Sequence, residues 1–206
     1  MCWNAAVSLQ TFLFAIGCSA ILIAMGAVPM GVIAFAMSVS IMQLNEYFLW
    51  THLENPMINN RMSVIGLLIL AVQPIFAIGL IKSSRVRVRM WAAYLVFLAI
   101  VAAIYGRALL DAKTVLSERG HLKWLWLERG GKAREQIGRA VSAIWIGFVC
   151  AALILSGNYW LFAIGLGALI ITNLVYAKDG SWTSHWCIWI NLFWIWMIGS
   201  VIVEYL

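Results

Sequence analysis

Seven apolar stretches follow one another along this chain, at about 7–27, 31–53, 63–81, 90–110, 140–156, 159–176 and 186–206. A helix rises about 1.5 Å per residue, so the roughly 20 residues in most of these stretches span about 30 Å of hydrocarbon. Backbone groups in hydrocarbon must be satisfied within the chain, and uninterrupted apolar runs lack the alternation of a membrane β-barrel. With 64% hydrophobic and 11% charged residues in 206, there is too little polar surface to coat a soluble globule. The expected fold is therefore all-α, a seven-transmembrane-helix bundle, with 1–206 as a single integral membrane domain. The first stretch has no basic residue ahead of it and no small-residue cleavage site, and reads as a retained span.

An odd number of spans puts His52, His121, His185, Cys2 and Cys187 on one face of the membrane. Of the Lys and Arg residues, Arg61, Arg107, Lys113, Arg119, Lys123, Arg129, Lys132, Arg134, Arg139 and Lys178 fall on that face, and only Lys82, Arg85, Arg87 and Arg89 on the other. This distribution favours an N-terminus inside. Loops facing anionic headgroups account for the net charge of +6, and nothing points to nucleic acid. The expected partners are the bilayer itself, a small-molecule, ion or lipid ligand, and further copies of the chain in a homo-oligomer. Trp side chains favour the interface. A seven-span arrangement places Trp3, Trp50, Trp124, Trp126, Trp145, Trp182 and Trp186 at the histidine-bearing face and Trp91 and Trp160 at the other, with Trp189, Trp194 and Trp196 inside the last span.

The longest connection, between the fourth and fifth stretches, holds two β-prone segments, 114–117 and 121–126. They flank Glu118-Arg119-Gly120, a loop ending in Gly that suits a hairpin with a G1-type bulge. Alternation would place Leu122, Trp124 and Trp126 on one face and His121 and Lys123 on the other. The competing readings are an amphipathic surface helix and an irregular loop.

Ionisable and amide side chains at membrane depth are costly and usually face the bundle interior. Glu46 is the foremost case. It shares a helical face with Gln43 and Trp50 through 3- and 4-residue spacing, and it suits a proton carrier, a cation ligand, a general base or a structural carboxyl. In the last stretch Cys187 and Asn191 are one turn apart, which puts Asn191 at a depth similar to that of Glu46. Gln73 precedes Pro74, whose ring removes a backbone donor and frees the carbonyl of Leu70, giving a kink and a polar lining. Thr172 and Asn173 suit interhelical hydrogen bonds, and Gly165, Ala168, Cys18 and Cys150 suit close packing.

His52, His121 and Cys187 are the donors nearest to a metal set, but they come from separate connections and lack the short spacing of a recognised motif, so no bound metal is expected. A disulfide between Cys2 and Cys187 would need an oxidising face, and free thiols fit the basic-inside orientation better.

Met1-Cys2-Trp3-Asn4 with Val7-Ser8-Leu9, Met42-Gln43-Leu44-x-Glu46-x-Phe48-x-Trp50, Gln73-Pro74, Gly120-His121-Leu122-x-Trp124, and Gly180-Ser181 followed by Trp186-Cys187-x-Trp189-x-Asn191 resemble a family of uncharacterised multi-pass membrane proteins found in giant viruses and marine microbes. The resemblance brings no activity or cofactor with it. It implies that these motif positions belong to one site or scaffold, and His185, ahead of Trp186, departs from its pattern.

The candidate site residues are therefore Gln43, Glu46, Trp50, Gln73, His121, Trp124, Cys187 and Asn191. The first functional expectation is a transporter or channel for a small solute, ion or lipid that uses Glu46. The alternatives are a membrane-embedded enzyme with Glu46 and His121 as acid or base, and a pigment-binding or sensory bundle. A retinal Schiff base of the usual kind is disfavoured, because the last stretch contains no Lys and the nearest, Lys178, precedes it.

Overall fold

The computed structural model describes residues 4–125, 131–176 and 182–205, with 131–135, 173, 176, 182–189 and 205 described by their backbone alone. Seven helices occupy these residues: α1 (Ala5–Met25), α2 (Met30–Thr51), α3 (Pro56–Gly79), α4 (Ser84–Leu110), α5 (Gly131–Leu155), α6 (Tyr159–Tyr176) and α7 (Trp182–Tyr205). The chain is an all-α bundle, and five of its helices, α1 to α4 and the 136–155 part of α5, are long and apolar enough to cross a membrane. This makes it a membrane protein.

Several helices begin earlier than the apolar stretches do, because polar first turns extend the helix beyond its apolar part. Helix α3 starts at Pro56, a residue suited to the first turn, and Asn55 caps it by accepting from the backbone N–H groups of Met57 and Ile58, each at 3.2 Å. Asn4 caps α1 in the same way through Val7. Between α1 and α2 the chain turns at Gly26, whose φ of 62° lies in the left-handed region that favours glycine.

The core lies where α1, α2, α3 and α7 meet. Ala15, Leu22, Phe35, Ala36, Ile78 and Trp194 are almost fully buried there. Polar links join the helices through this apolar core. The Thr11 hydroxyl donates to the side-chain oxygen of Gln43, joining α1 to α2. The Trp194 indole donates to Ser40 Oγ at 2.9 Å, joining α7 to α2. Trp194 thus takes the packing role, while Trp196 is half-buried with its ring centroid 6.4 Å from that of Trp160. Thr172 differs from expectation: its hydroxyl bonds back to the carbonyls of Ala168 and Leu169 on its own helix, the usual outlet for a mid-helix threonine.

The connection after α4 forms the expected hairpin, β1 (Thr114–Leu116) and β2 (Leu122–Trp124), with Thr114 opposite Trp124 and Leu116 opposite Leu122. Gly120 has φ 73°, the left-handed geometry that a G1-type loop requires. Leu122 is fully buried against Leu49, with Trp50, Leu53, Met62 and Trp124 around them. Leu122 and Trp124 therefore share the inner face, whereas Trp126 lies outside the described residues.

The hairpin is anchored by α3. Asn59 Nδ2 donates to the Thr114 carbonyl at 2.8 Å and its Oδ1 accepts from the Thr114 N–H at 2.9 Å, so one side chain acts as a neighbouring strand. Ser63 Oγ meets Thr114 Oγ1 at 2.8 Å, and Asn60 Nδ2 donates to the carbonyls of Leu110 and Ala112. Asn59, Ser63 and Thr114 are fully buried. Replacing Asn59 with Ala leaves both backbone polar groups of Thr114 unmatched in the interior and should cost about 2–4 kcal/mol. Thermal unfolding in detergent should register that loss, and Asn60→Ala, at a more exposed position, should lower the midpoint less.

Candidate functional site

Pro74 sits inside α3 and has no N–H for the carbonyl of Leu70. The Trp145 indole of α5 donates to that carbonyl at 2.7 Å. Two aromatic residues of α4 bond to the same stretch of α3, Tyr94 Oη to the Ala71 carbonyl at 2.7 Å and Trp91 Nε1 to the Ile75 carbonyl at 3.1 Å. Tyr94, Phe97 and Phe148 then pack ring to ring, with Tyr94 and Phe148 edge-on at 5.0 Å. These contacts fix the N-terminal half of α4 and the middle of α5 against α3. Trp145, expected at the interface, lies mid-bundle because the donor-free turn at Pro74 recruits its N–H.

Helix α4 packs on α3 but hardly on α5, and Leu95, Val96, Ile100, Ile104 and Leu110 are all more than half exposed. The space left between α3, α4 and α5 is a cavity of about 610 Å³. Its wall on α4 runs from Tyr94 to Leu110, a length of about 24 Å at 1.5 Å per residue. Leu68, mid-way along α3 and 61% exposed, is among its lining residues, so the cavity reaches the outer surface of the bundle. Its inner wall carries Val39, Met42 and Glu46 of α2, and one end is closed by the Trp124 ring. The lining is overwhelmingly apolar, with Glu46, Gln73 and Ser142 as its polar members besides the aromatic donors Tyr94, Trp124 and Trp145. Both volume and lining suit a small-molecule site.

Glu46 is 1% exposed and five residues before the end of α2, about 8 Å inside the helix terminus. Gln73, 2% exposed, donates to the Ser38 carbonyl at 3.3 Å. Ser38 is eight residues from Glu46 on α2, about 12 Å along the axis. The two polar groups therefore line one cavity at different depths, Glu46 near the hairpin end and Gln73 beside Pro74. A single compact ligand group cannot meet both.

The remaining candidates lie in separate environments. Gln43 faces α1 and bonds to Thr11. Trp50 packs under the hairpin beside Leu122. His121 is half-buried, its backbone N–H donating to Ser117 Oγ at 3.2 Å, and it is not part of the cavity wall. Asn191 is half-buried on α7, and its Oδ1 has no hydrogen bond among the described residues; the same holds for Oδ1 of the buried Asn45. His52 bonds locally at the end of α2, to Thr51 Oγ1 at 2.9 Å and the Phe48 carbonyl at 3.2 Å. Among the described residues no three His, Cys, Asp or Glu side chains cluster as a metal set would. Cys2, Trp3, Lys178 and the Gly180-Ser181 pair, together with the side chains of Asn173, Trp182, His185, Trp186, Cys187 and Trp189, lie outside the described residues.

Trp124, expected at the interface and also as a candidate site residue, lines the cavity. Its ring covers Gly66 of α3, and a methyl built on Gly66 would overlap that ring and stand 2.8 Å from Asn45 Nδ2. The absence of a side chain at Gly66 is what lets the hairpin reach inward to the cavity. Sequence reasoning missed Tyr94, Phe97 and Trp145 as cavity residues, and Asn59 as an anchor. A tyrosine and a tryptophan within apolar runs, each carrying an N–H or O–H in need of an acceptor, were the available signal.

Compared with family models, curated proteins and solved structures, the chain matches none. The family resemblance carried by its motifs accordingly stands on those residues alone.

Two substitutions test this geometry. Gly66→Ala should push the Trp124 ring off α3 at a cost of about 1–3 kcal/mol, read as a lower unfolding midpoint. A red-shifted Trp124 emission should accompany it, seen as the difference from the same variant carrying Trp124→Phe. Trp145→Phe keeps the ring but removes the donor to Leu70, and should destabilise by about 1–3 kcal/mol.

Proposed function

We propose that this is a lateral-access membrane protein that takes up and moves a lipid-like solute, with Glu46 as the polar contact inside the bundle. The observation that carries the reading is the long apolar cavity between α3, α4 and α5, with a buried carboxyl on its inner wall and a lining that reaches the outer surface of the bundle. An apolar ligand in the bilayer can enter between α4 and α5 without crossing water. A carboxyl at membrane depth is expensive to keep and is most useful where it meets a ligand, a proton or a cation. The Pro74 turn, bridged by side chains instead of by its own helix, is a natural place for the bundle to flex during transfer. Acid–base chemistry shared by Glu46 and His121 is less well supported, because His121 stands off the cavity wall.

The aromatic lining, Tyr94, Phe97, Trp124 and Trp145, favours a second reading: a polyene chromophore held without covalent attachment. No Lys is found among the described lining residues. Visible absorbance in the purified protein would select this reading, and its absence would discard it.

In both readings all seven helices cross the membrane with the N-terminus inside, as the distribution of Lys and Arg favours. A single cysteine introduced at Glu118, in the hairpin loop, should then react with an impermeant maleimide only when the cytoplasmic face is open. Glu46→Gln should weaken uptake or binding while leaving the unfolding midpoint within about 2 °C of the parent, a shift of no more than about 1 kcal/mol for a domain of this size. An equal loss of stability and activity would assign Glu46 to packing.

A further inference from the structure

The cavity also selects for charge. Among the described residues, no Lys, Arg or His lines it. Arg107, Lys113, Arg119, Lys123 and Arg139, the described cations in and beside the hairpin and at the helix ends flanking it, are not part of its wall either. An anionic headgroup drawn into this space would give up its hydration with no cation among the described wall residues to pair with, a cost that no apolar contact of the head offsets. It would also stand beside the Glu46 carboxyl. A neutral group with an O–H or N–H fits the same position, because a carboxyl oxygen accepts from it. The tail requirement follows from the shape. The wall on α4 runs about 24 Å parallel to the helix axis, and the indole N–H of Trp145 and the hydroxyl of Tyr94 are turned onto α3 carbonyls. Both aromatic side chains therefore have their polar atoms committed to α3 and offer the cavity hydrocarbon surface.

We infer that the ligand is an uncharged, single-chain amphiphile with a hydroxyl-class head, such as a long-chain or isoprenoid alcohol, bound head to Glu46 and tail along α4, and that anionic lipids and fatty acids are excluded. This inference rests on the cavity being a ligand site, as proposed above, and adds the charge and shape of what it holds.

The test uses the full chain in lipid nanodiscs at pH 8 and two probes of equal length, 12-bromododecanol and 12-bromododecanoate. Bromine quenches indole fluorescence on contact, and Trp124 and Trp145 report from the cavity wall. The alcohol should quench saturably and bind at least about tenfold tighter than the carboxylate. Ala102→Phe, which fills the cavity from α4, should remove the saturable component for the alcohol. Gln73 stands deep in the same cavity, so Gln73→Lys, which supplies a cation there, should raise carboxylate binding by about tenfold or more. Equal or tighter binding of the carboxylate to the parent protein would overturn the charge selection while leaving the cavity as a ligand site. Saturable quenching by neither probe, or quenching unchanged by Ala102→Phe, would overturn the ligand site itself.

Discussion

In hydrocarbon every backbone carbonyl needs a donor, and Pro74 leaves that of Leu70 without its helical one. The indole of Trp145 supplies it from α5, while Tyr94 and Trp91 bond to α3 on either side of the proline from α4. Much of the arrangement follows from this repair. It holds α5 and the first half of α4 to α3 at one level of the bundle, and the Tyr94, Phe97 and Phe148 rings fill that level. Among the described residues α4 packs little on α5, and the cavity lies between them. Site and scaffold thus share a cause: the residues that bridge the proline are also the walls of the cavity.

A second constraint closes the hairpin end. Asn59 satisfies both backbone groups of Thr114 and so fixes where β1 lies. Pairing of β1 with β2 then fixes Trp124, and Gly66 provides the space for its ring. Each step depends on a polar or steric fit and not on apolar area alone. That is what a bundle bathed in apolar solvent requires, because lipid removes most of the hydrophobic drive for helices to associate.

These two constraints explain which features were legible from residues alone. Helices were readable, since apolar runs of spanning length have few other solutions, and the hairpin was readable from Gly120 and the β-prone segments beside it. The Leu70 carbonyl was identified as freed, because the effect of proline is local. Its donor was not, because the meeting of Trp145 with Leu70 depends on how α5 packs against α3. The same holds for Trp124: as a residue it is an interface anchor, and only the hairpin's attachment to Asn59 and the gap at Gly66 turn it inward. Glu46 and Gln73 were singled out correctly as buried polar groups, yet their separation along the bundle was hidden until the Gln73 to Ser38 bond set the register between α3 and α2. Gln43, chosen for sharing a face with Glu46, turns to Thr11, because a buried helix surrounded on several sides presents neighbouring positions to different partners.

The central claim is that a lipid-like molecule occupies the space between α3, α4 and α5 and reaches Glu46 from the bilayer. An experimental density map of the protein in lipid nanodiscs, at a resolution that separates side chains, addresses it directly. The account predicts elongated non-protein density along α4 from Leu110 toward Tyr94, with one end against the Glu46 carboxyl. A map in which α4 closes onto α5 and protein side chains fill that space would contradict it.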